Sequence, residues 1–270
     1  MTSTLLLLGA SLLDTGNVSY ASNGRVLGEQ IVEKLGGNPD DSQLIPVQSS
    51  VEASARSVHN YAHGGARSDW GPSAEINDAL VSIGLRQQVT EVLSRTQDYQ
   101  QRNDVDAVVS AGANDILEQF DDLTAFDDVL TSPERRDNRR LVRRISRGIT
   151  RHLIKSTDAL TGLLDEVLLI GTLPVSATPL ARERSEQLAN AEPSDFLELL
   201  DQIGAAQRKR LERVYGRNDQ VAVIDAATLW DQIDSPGFID EVHPDSSTSD
   251  QLAALIVEEG LNGLGSIGWP

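Results

Sequence analysis

Five short apolar runs constrain this chain more than any other feature. They are Thr4–Leu8, Leu44–Val47, Val105–Ser110, Val167–Ile170 and Val221–Ile224, all rich in Leu, Val or Ile. Strands buried on both faces of a parallel sheet read as continuous apolar runs rather than as alternation. Stretches with apolar residues at helical spacing separate them: Arg25–Leu35, Ile76–Tyr99, Leu141–Leu164, Phe196–Tyr215 and Thr248–Leu261. Gly36-Gly37 supplies a stop for the first of these helices. The alternation predicts an α/β fold, a three-layer α/β/α sandwich on a mainly parallel sheet of about five strands. No long Pro/Gly/Ser linker and no internal repeat interrupts it, so residues 1–270 read as one domain.

Composition narrows the chemistry. The formal net charge is −18, which argues against a nucleic-acid partner and against docking on an anionic membrane, since both need clustered cations. Cys is absent, which removes disulfides, thiolate nucleophiles and Cys-ligated metals. The four histidines, His59, His63, His152 and His243, have no ligand spacing, so no metal and no cofactor is expected. The Leu5–Leu8 run lacks a preceding basic residue and is short for a secretion signal. No stretch approaches the ~20 apolar residues of a membrane span. The expectation is a cytoplasmic protein without stable membrane insertion.

In open α/β sheets, ligands bind beyond the carboxyl ends of the strands. Four segments lie where such ends are expected. The first strand runs into Gly9-Ala10-Ser11-Leu12-Leu13-Asp14-Thr15-Gly16-Asn17. Ser11 there is either an exposed nucleophile or part of a turn built from turn-favouring residues. Asn60-Tyr61-Ala62-His63-Gly64-Gly65-Ala66 carries a glycine pair that permits close approach of a backbone N–H to a ligand, or simply a tight loop. His63 is expected on the exposed side of that loop. The third strand leads into Gly112-Ala113-Asn114-Asp115, where Asn114 offers a side-chain donor and Asp115 reads as a helix cap. Finally, Asp240-Glu241-Val242-His243-Pro244 places an acid three residues before a histidine, close enough to orient its ring.

Taken together, Gly-x-Ser-x-x-Asp-x-Gly-Asn, Asn-Tyr-Ala-x-Gly-Gly-Ala, Gly-x-Asn-Asp and Asp-x-x-His-Pro resemble the motif blocks of SGNH (GDSL) hydrolases, in the same order. The blocks span residues 9–244. Gly171-Thr172-Leu173-Pro174 through Thr178-Pro179 is similar to that family's Leu-Pro…Thr-Pro stretch. The resemblance implies a flavodoxin-like fold and a serine esterase or lipase acting on a small-molecule ester, which includes lipids and acylated sugars. It implies Ser11 as nucleophile, His243 as general base and Asp240 as the residue that orients it. It also implies an oxyanion hole from the backbone of Ser11 and Gly65 and the side chain of Asn114. An acyltransferase using the same triad, and a non-catalytic binding protein on the same fold, are the competing readings. The departure that favours the last is Ala10, where the family usually has Asp.

Four further features carry expectations. Residues 134–155 hold nine Lys/Arg against two acids, leaving 14 basic and 39 acidic residues elsewhere, a net of −25. Val142, Ile145, Ile149 and Leu153 form a stripe at helical spacing, so this reads as a helix whose cationic face pairs with acidic neighbours. The acidic stretch Glu118–Pro133, with Phe120 and Phe126, reads as a rim or lid over the site, or as an ordinary loop; with the basic helix it forms a candidate insertion at about 118–160. Leu12 and Leu13 are candidates for an acyl wall or for the core. A Gly-x-Gly-x-x-Gly match at Gly263–Gly268 has no helix after it and reads as a flexible tail.

Overall fold

The computed structural model describes residues 4–16, 24–45, 58–76, 79–102 and 104–264. In chain order the elements are β1 (Thr4–Gly9), α1 (Leu27–Lys34), β2 (Ser42–Leu44), β3 (Val58–Asn60), β4 (Ser73–Ile76), β5 (Ala79–Ser82), α2 (Leu85–Ser94), α3 (Thr96–Gln100), β6 (Val105–Ser110), α4 (Ala113–Leu117), α5 (Thr124–Thr131), α6 (Arg135–Thr161), β7 (Glu166–Ile170), α7 (Pro179–Glu186), α8 (Pro193–Tyr215), β8 (Val221–Ile224), α9 (Ala226–Trp230) and α10 (Ser246–Leu264). Six strands form a sheet in the order β2-β3-β1-β6-β7-β8, and each neighbouring pair is parallel.

The apolar runs work as two-sided strands. Leu6 and Leu8 of β1 enter one core with residues of α2, α6 and α8. Leu5 and Leu7 enter the other core with residues of α1 and α10. Val167 and Leu169 of β7 repeat the first pattern, and Leu168 and Ile170 the second. Side chains alternate across a strand, so each run feeds both helical layers, which makes the sandwich.

The sheet has six strands rather than about five. The additional strand, β3, reads Val58-His59-Asn60 and is fully buried despite two polar residues. His59 Nδ1 bonds to the Tyr99 hydroxyl at 3.0 Å. The expected helix over Ile76–Tyr99 begins later than its periodicity suggests. Ser73–Ile76 and Ala79–Ser82 instead pair antiparallel as β4 and β5, and α2 starts at Leu85. The second run is also displaced: β2 occupies Ser42–Leu44, ahead of Pro46, which lacks the N–H a strand interior needs. Residues 46–47 of that run lie outside the described residues.

The Glu118–Pro133 stretch is neither an open loop nor free of the core. Phe120 and Phe126 are buried and meet Phe196 of α8 at ring distances of 5.5 and 5.1 Å. Leu13 is core, and Leu12 packs half-buried against the same cluster. Gly263 and Leu264 close α10, and the remainder of the C-terminal glycine motif lies outside the described residues. Among the described residues, no helix is long and apolar enough to cross a membrane.

Candidate functional site

The chain leaves β1 toward β2 and β3 on one side, and β6 joins β1 on the other. The C-terminal end of β1 is therefore the switch point, where open sheets bind ligands. Gly9 ends the strand with φ +140°, and a Cβ there would lie 1.8 Å from the Ser110 carbonyl oxygen. Only glycine can make this approach. The Gly9 N–H donates to Gln88 Oε1 at 2.7 Å, and Gln88 Nε2 donates back to the Gly9 carbonyl at 2.8 Å. Gln88 is fully buried and so clamps the peptide two residues before Ser11. It sits within a helical stretch and carries no motif, which is why the sequence did not single it out.

The loop after β1 is fixed by Asp14. This buried carboxylate accepts the Gly64 N–H at 2.7 Å and the Gly16 N–H at 2.9 Å. Asn60 braces the same loop by donating to the Leu13 carbonyl at 2.8 Å and to Thr15 Oγ1 at 2.7 Å. The brace that an acid at position 10 would supply is thus met elsewhere: Ala10 uses its carbonyl to receive the N–H groups of Leu13 and Asp14. Asn17 lies outside the described residues.

The glycine loop is held from two sides. Gly65 adopts φ +79°, a left-handed conformation, with open space where a Cβ would stand, so conformation rather than room selects glycine. Asn114 Nδ2 donates to the Ala66 carbonyl at 2.9 Å, which joins the end of β6 to this loop. Asp115 does not cap α4 as expected. Its carboxylate receives the Ser68 N–H at 2.8 Å and the Ser68 hydroxyl at 2.6 Å. Burial pushes the Asp115 carboxyl up to about 6, against the pull of those two bonds. Arg67, next along, pairs with Glu118. His63 is fully buried rather than exposed. Burial lowers its pKa to about 4, so it stays neutral at physiological pH.

The fourth segment arrives from the far end of the chain. His243 Nε2 lies 2.8 Å from Ser11 Oγ, across 232 positions of sequence, and His243 Nδ1 lies 2.6 Å from Asp240 Oδ2. The other carboxylate oxygen, Asp240 Oδ1, receives the N–H groups of Val242 at 2.8 Å and His243 at 2.7 Å. Burial raises the Asp240 carboxyl, but these backbone donors and the His243 ring outweigh it and hold it below its ordinary value.

The loop around His243 is itself strapped down. Ile239 N–H donates to the His243 carbonyl at 2.9 Å, Leu180 N–H to the Glu241 carbonyl at 3.0 Å, and Phe238 packs on Trp230. Asp245 caps α10 by accepting the Thr248 N–H at 2.7 Å. The Leu-Pro…Thr-Pro segment thus contributes position: Thr178 caps α7, and α7 anchors the histidine loop through Leu180. A separate cavity of about 430 Å³ opens at the ends of β7 and β8, and its lining includes none of Ser11, Gly65, Asn114 or His243.

Among the described residues, no group of three or more His, Asp or Glu side chains could hold a metal ion. What the arrangement offers is a hydroxyl, a base within hydrogen-bond reach, and a carboxylate that orients the base.

A family model described as GDSL-like lipase/acylhydrolase matches residues 5–256. No curated protein matches the chain. Solved structures similar to it include a member of the lipolytic G-D-S-L family from Veillonella parvula (15% identity, TM-score 0.48, covering 97% of this chain and 99% of that one). An acetylxylan esterase from Geobacillus stearothermophilus is similar at 14% identity and TM-score 0.49, covering 98% of this chain and 94% of that one. An alpha/beta hydrolase enzyme from the metagenome of Lake Arreo, Spain, stands at 13% and 0.45, covering 98% and 96%.

Proposed function

Because the chain belongs to the GDSL-like lipase/acylhydrolase family and is a carboxylic ester hydrolase of that type, we propose that it works through an acyl-enzyme on Ser11. The observation that carries this reading is the continuous line Ser11 Oγ, His243 Nε2, His243 Nδ1, Asp240 Oδ2, with steps of 2.8 and 2.6 Å. A serine hydroxyl is a weak nucleophile until an adjacent base takes its proton. Asp240 accepts the Nδ1 proton and so leaves Nε2 free to be that base.

In the first half-reaction, Ser11 Oγ bonds to the ester carbonyl carbon as its proton passes to His243. The tetrahedral intermediate collapses, the carbon–alkoxy bond breaks, and His243 returns the proton to the departing alcohol. In the second, water oxygen bonds to the acyl carbon as its proton passes to His243, the carbon–Oγ bond breaks, and His243 returns the proton to Ser11 as the acid leaves. The developing oxyanion is received by the backbone N–H groups of Ser11 and Gly65 and by Asn114. An amide nitrogen carries two protons. One from Asn114 goes to the Ala66 carbonyl, leaving the other for the oxyanion. Removal of one such donor typically costs ~10²–10³ in turnover.

The union of residues 11, 65, 114, 240 and 243 in one mechanism also supports reading residues 1–270 as a single domain. The test is hydrolysis of p-nitrophenyl acetate and butyrate by the wild type and by Ser11→Ala. The wild type turns these esters over and the variant does not. A wild type no faster than Ser11→Ala would rule the mechanism out.

A further inference from the structure

Two features of the α6–α8 layer lie outside the ester chemistry. One is the basic helix, which does not pair with acidic neighbours as its sequence suggests. On α6, Arg136 pairs with Glu134 and Arg140 with Asp137. Arg139, Arg143, Arg147, Arg151 and Lys155 are exposed, and among the described residues none has a carboxylate within 4 Å. At about 3.6 residues per turn these cations wind around the helix, so they converge on no common point. The other feature is the cavity of about 430 Å³ at the ends of β7 and β8. It opens on the same edge of the sheet as Ser11, where open α/β sheets bind ligands. Its volume lies in the range of small-molecule sites.

The cavity is bounded by residues 171–177 after β7, by α8, and by the end of β8 with α9. Small residues keep it open. Gly204 and Ala205 line it from the middle of α8. The φ of Gly204 lies outside the left-handed region, and a Cβ there would meet nothing within 4 Å. Neither conformation nor crowding requires glycine at this position, and a mid-helix glycine weakens a helix relative to alanine. What the missing side chain leaves is room in the cavity. At the inner end, Gln207 and Thr172 are buried and form part of the wall. Gln207 Nε2 and Thr172 Oγ1 flank Gly112, since a Cβ on Gly112 would lie 3.2 and 2.6 Å from them. Among the described residues, neither atom has a hydrogen-bond partner. Buried polar groups are almost always paired, so two neighbouring ones left unmet mark a place where a ligand can bond.

The mouth has a different character. Asp201 and Asp231 are exposed there and Asp225 is half-buried, with Arg208 as the one guanidinium of the lining. Ser176 donates to Asp201, and Arg208 pairs with Asp225. Trp230 and Leu200 add apolar wall. This lining selects among ligand classes. An anion meets three carboxylates. An ammonium group only donates, so it leaves Gln207 Nε2 unmet. An acyl chain brings no polar atom and leaves both inner groups unmet. A neutral hydroxyl both donates and accepts. It can accept from Gln207 and Thr172 at the inner end and donate to carboxylates at the mouth. We propose that this cavity is a second binding site, which takes a neutral, hydroxyl-rich molecule of monosaccharide size. Its lining includes none of Ser11, Gly65, Asn114, Asp240 or His243, so occupancy does not require the acyl-enzyme.

The test is saturation-transfer NMR on the full chain, titrated with glucose, xylose and myo-inositol. At least one should bind saturably, with a dissociation constant between about 10 μM and 10 mM. Gly204→Leu, which places a side chain in the cavity, should abolish that binding. Thr172→Val, which deletes one unmet hydroxyl at nearly constant shape, should weaken it about 10-fold. Without ligand, Thr172→Val should keep or raise Tm, because no hydrogen bond is lost. Ser11→Ala should bind as the wild type does, so a failure of the acyl-enzyme mechanism would leave this result standing. Absence of saturable binding by all three polyols would overturn the proposal. So would binding indifferent to Gly204→Leu and Thr172→Val, or binding lost in Ser11→Ala, which would place the ligand at the Ser11–His243 site instead. A Tm lowered by several degrees in Thr172→Val would give that hydroxyl a partner within the protein and count equally against it. Tighter binding of tetramethylammonium, inorganic phosphate or butyrate, lost in the same variants, would overturn the ligand class.

Discussion

Replacing Asp240 by Asn tests the histidine's orientation with almost no change in shape. Asp240 Oδ1 already receives two backbone N–H groups, at 2.7 and 2.8 Å. In Asp240→Asn, the amide oxygen must keep that position. Turned the other way, the amide nitrogen would face two N–H donors, at a cost of about 2 kcal/mol or more from two lost bonds. That is roughly a 30-fold preference, at 1.36 kcal/mol per decade. The amide N–H₂ is therefore left facing His243 Nδ1, where Asp240 Oδ2 now stands at 2.6 Å. It can only donate, so Nδ1 must accept and the ring proton moves to Nε2. Nε2 can then no longer take the Ser11 proton. The same exchange in a serine-protease triad costs ~10⁴ in turnover, about 5.4 kcal/mol of barrier. Steady-state hydrolysis of p-nitrophenyl butyrate near neutral pH should show a kcat loss of that order with KM nearly unchanged. A loss under ~100-fold would refute the claim that Asp240 sets the tautomer.

Asp14→Ala removes a buried carboxylate and leaves the N–H groups of half-buried Gly64 and of Gly16 without their acceptor. Denaturant unfolding should show a loss of about 2–5 kcal/mol, and kcat should fall more than KM rises, because Gly64 adjoins the proposed Gly65 donor. Asp106 faces Glu166 in the neighbouring strand register, and burial together with Glu166 and Asp165 pushes its carboxyl up to about 7. Its ordinary value is 3.8, so between about pH 4 and 7 the native state binds the extra proton and stability falls as pH rises. Asp106→Asn should therefore raise Tm by several degrees at pH ~8, and the gain should vanish below pH ~4. A gain that persists there would contradict this account.

The parts of the fold that were legible are those where burial acts on both faces. β1 and β6 are buried end to end and read as unbroken apolar runs. β3 was missed because His59 and Asn60 look like loop residues, and inside the fold they bond to Tyr99 and to the β1 loop. The β4–β5 pair was absorbed into a helix because its apolar residues continue the periodicity of α2. Ser11, Asp240 and His243 were visible as motif residues whose contact no sequence spacing could supply. Gln88, Asp14 and Ser68 act through hydrogen bonds to backbone or carboxylate. Such bonds depend on tertiary placement, and composition and periodicity leave no trace of them. The pairing of the arginine face failed for a related reason: charge counts sum over the chain, whereas an ion pair needs two side chains within about 4 Å.

The central claim is that Ser11 carries the acyl group. A fluorophosphonate ester, which bonds irreversibly to an activated serine oxygen, followed by peptide mass spectrometry, tests it directly. The account predicts one adduct per chain, on the peptide that contains Ser11, with ester turnover lost in proportion to labelling and no adduct in Ser11→Ala. Full labelling of another residue, or undiminished turnover after Ser11 is labelled, would contradict it.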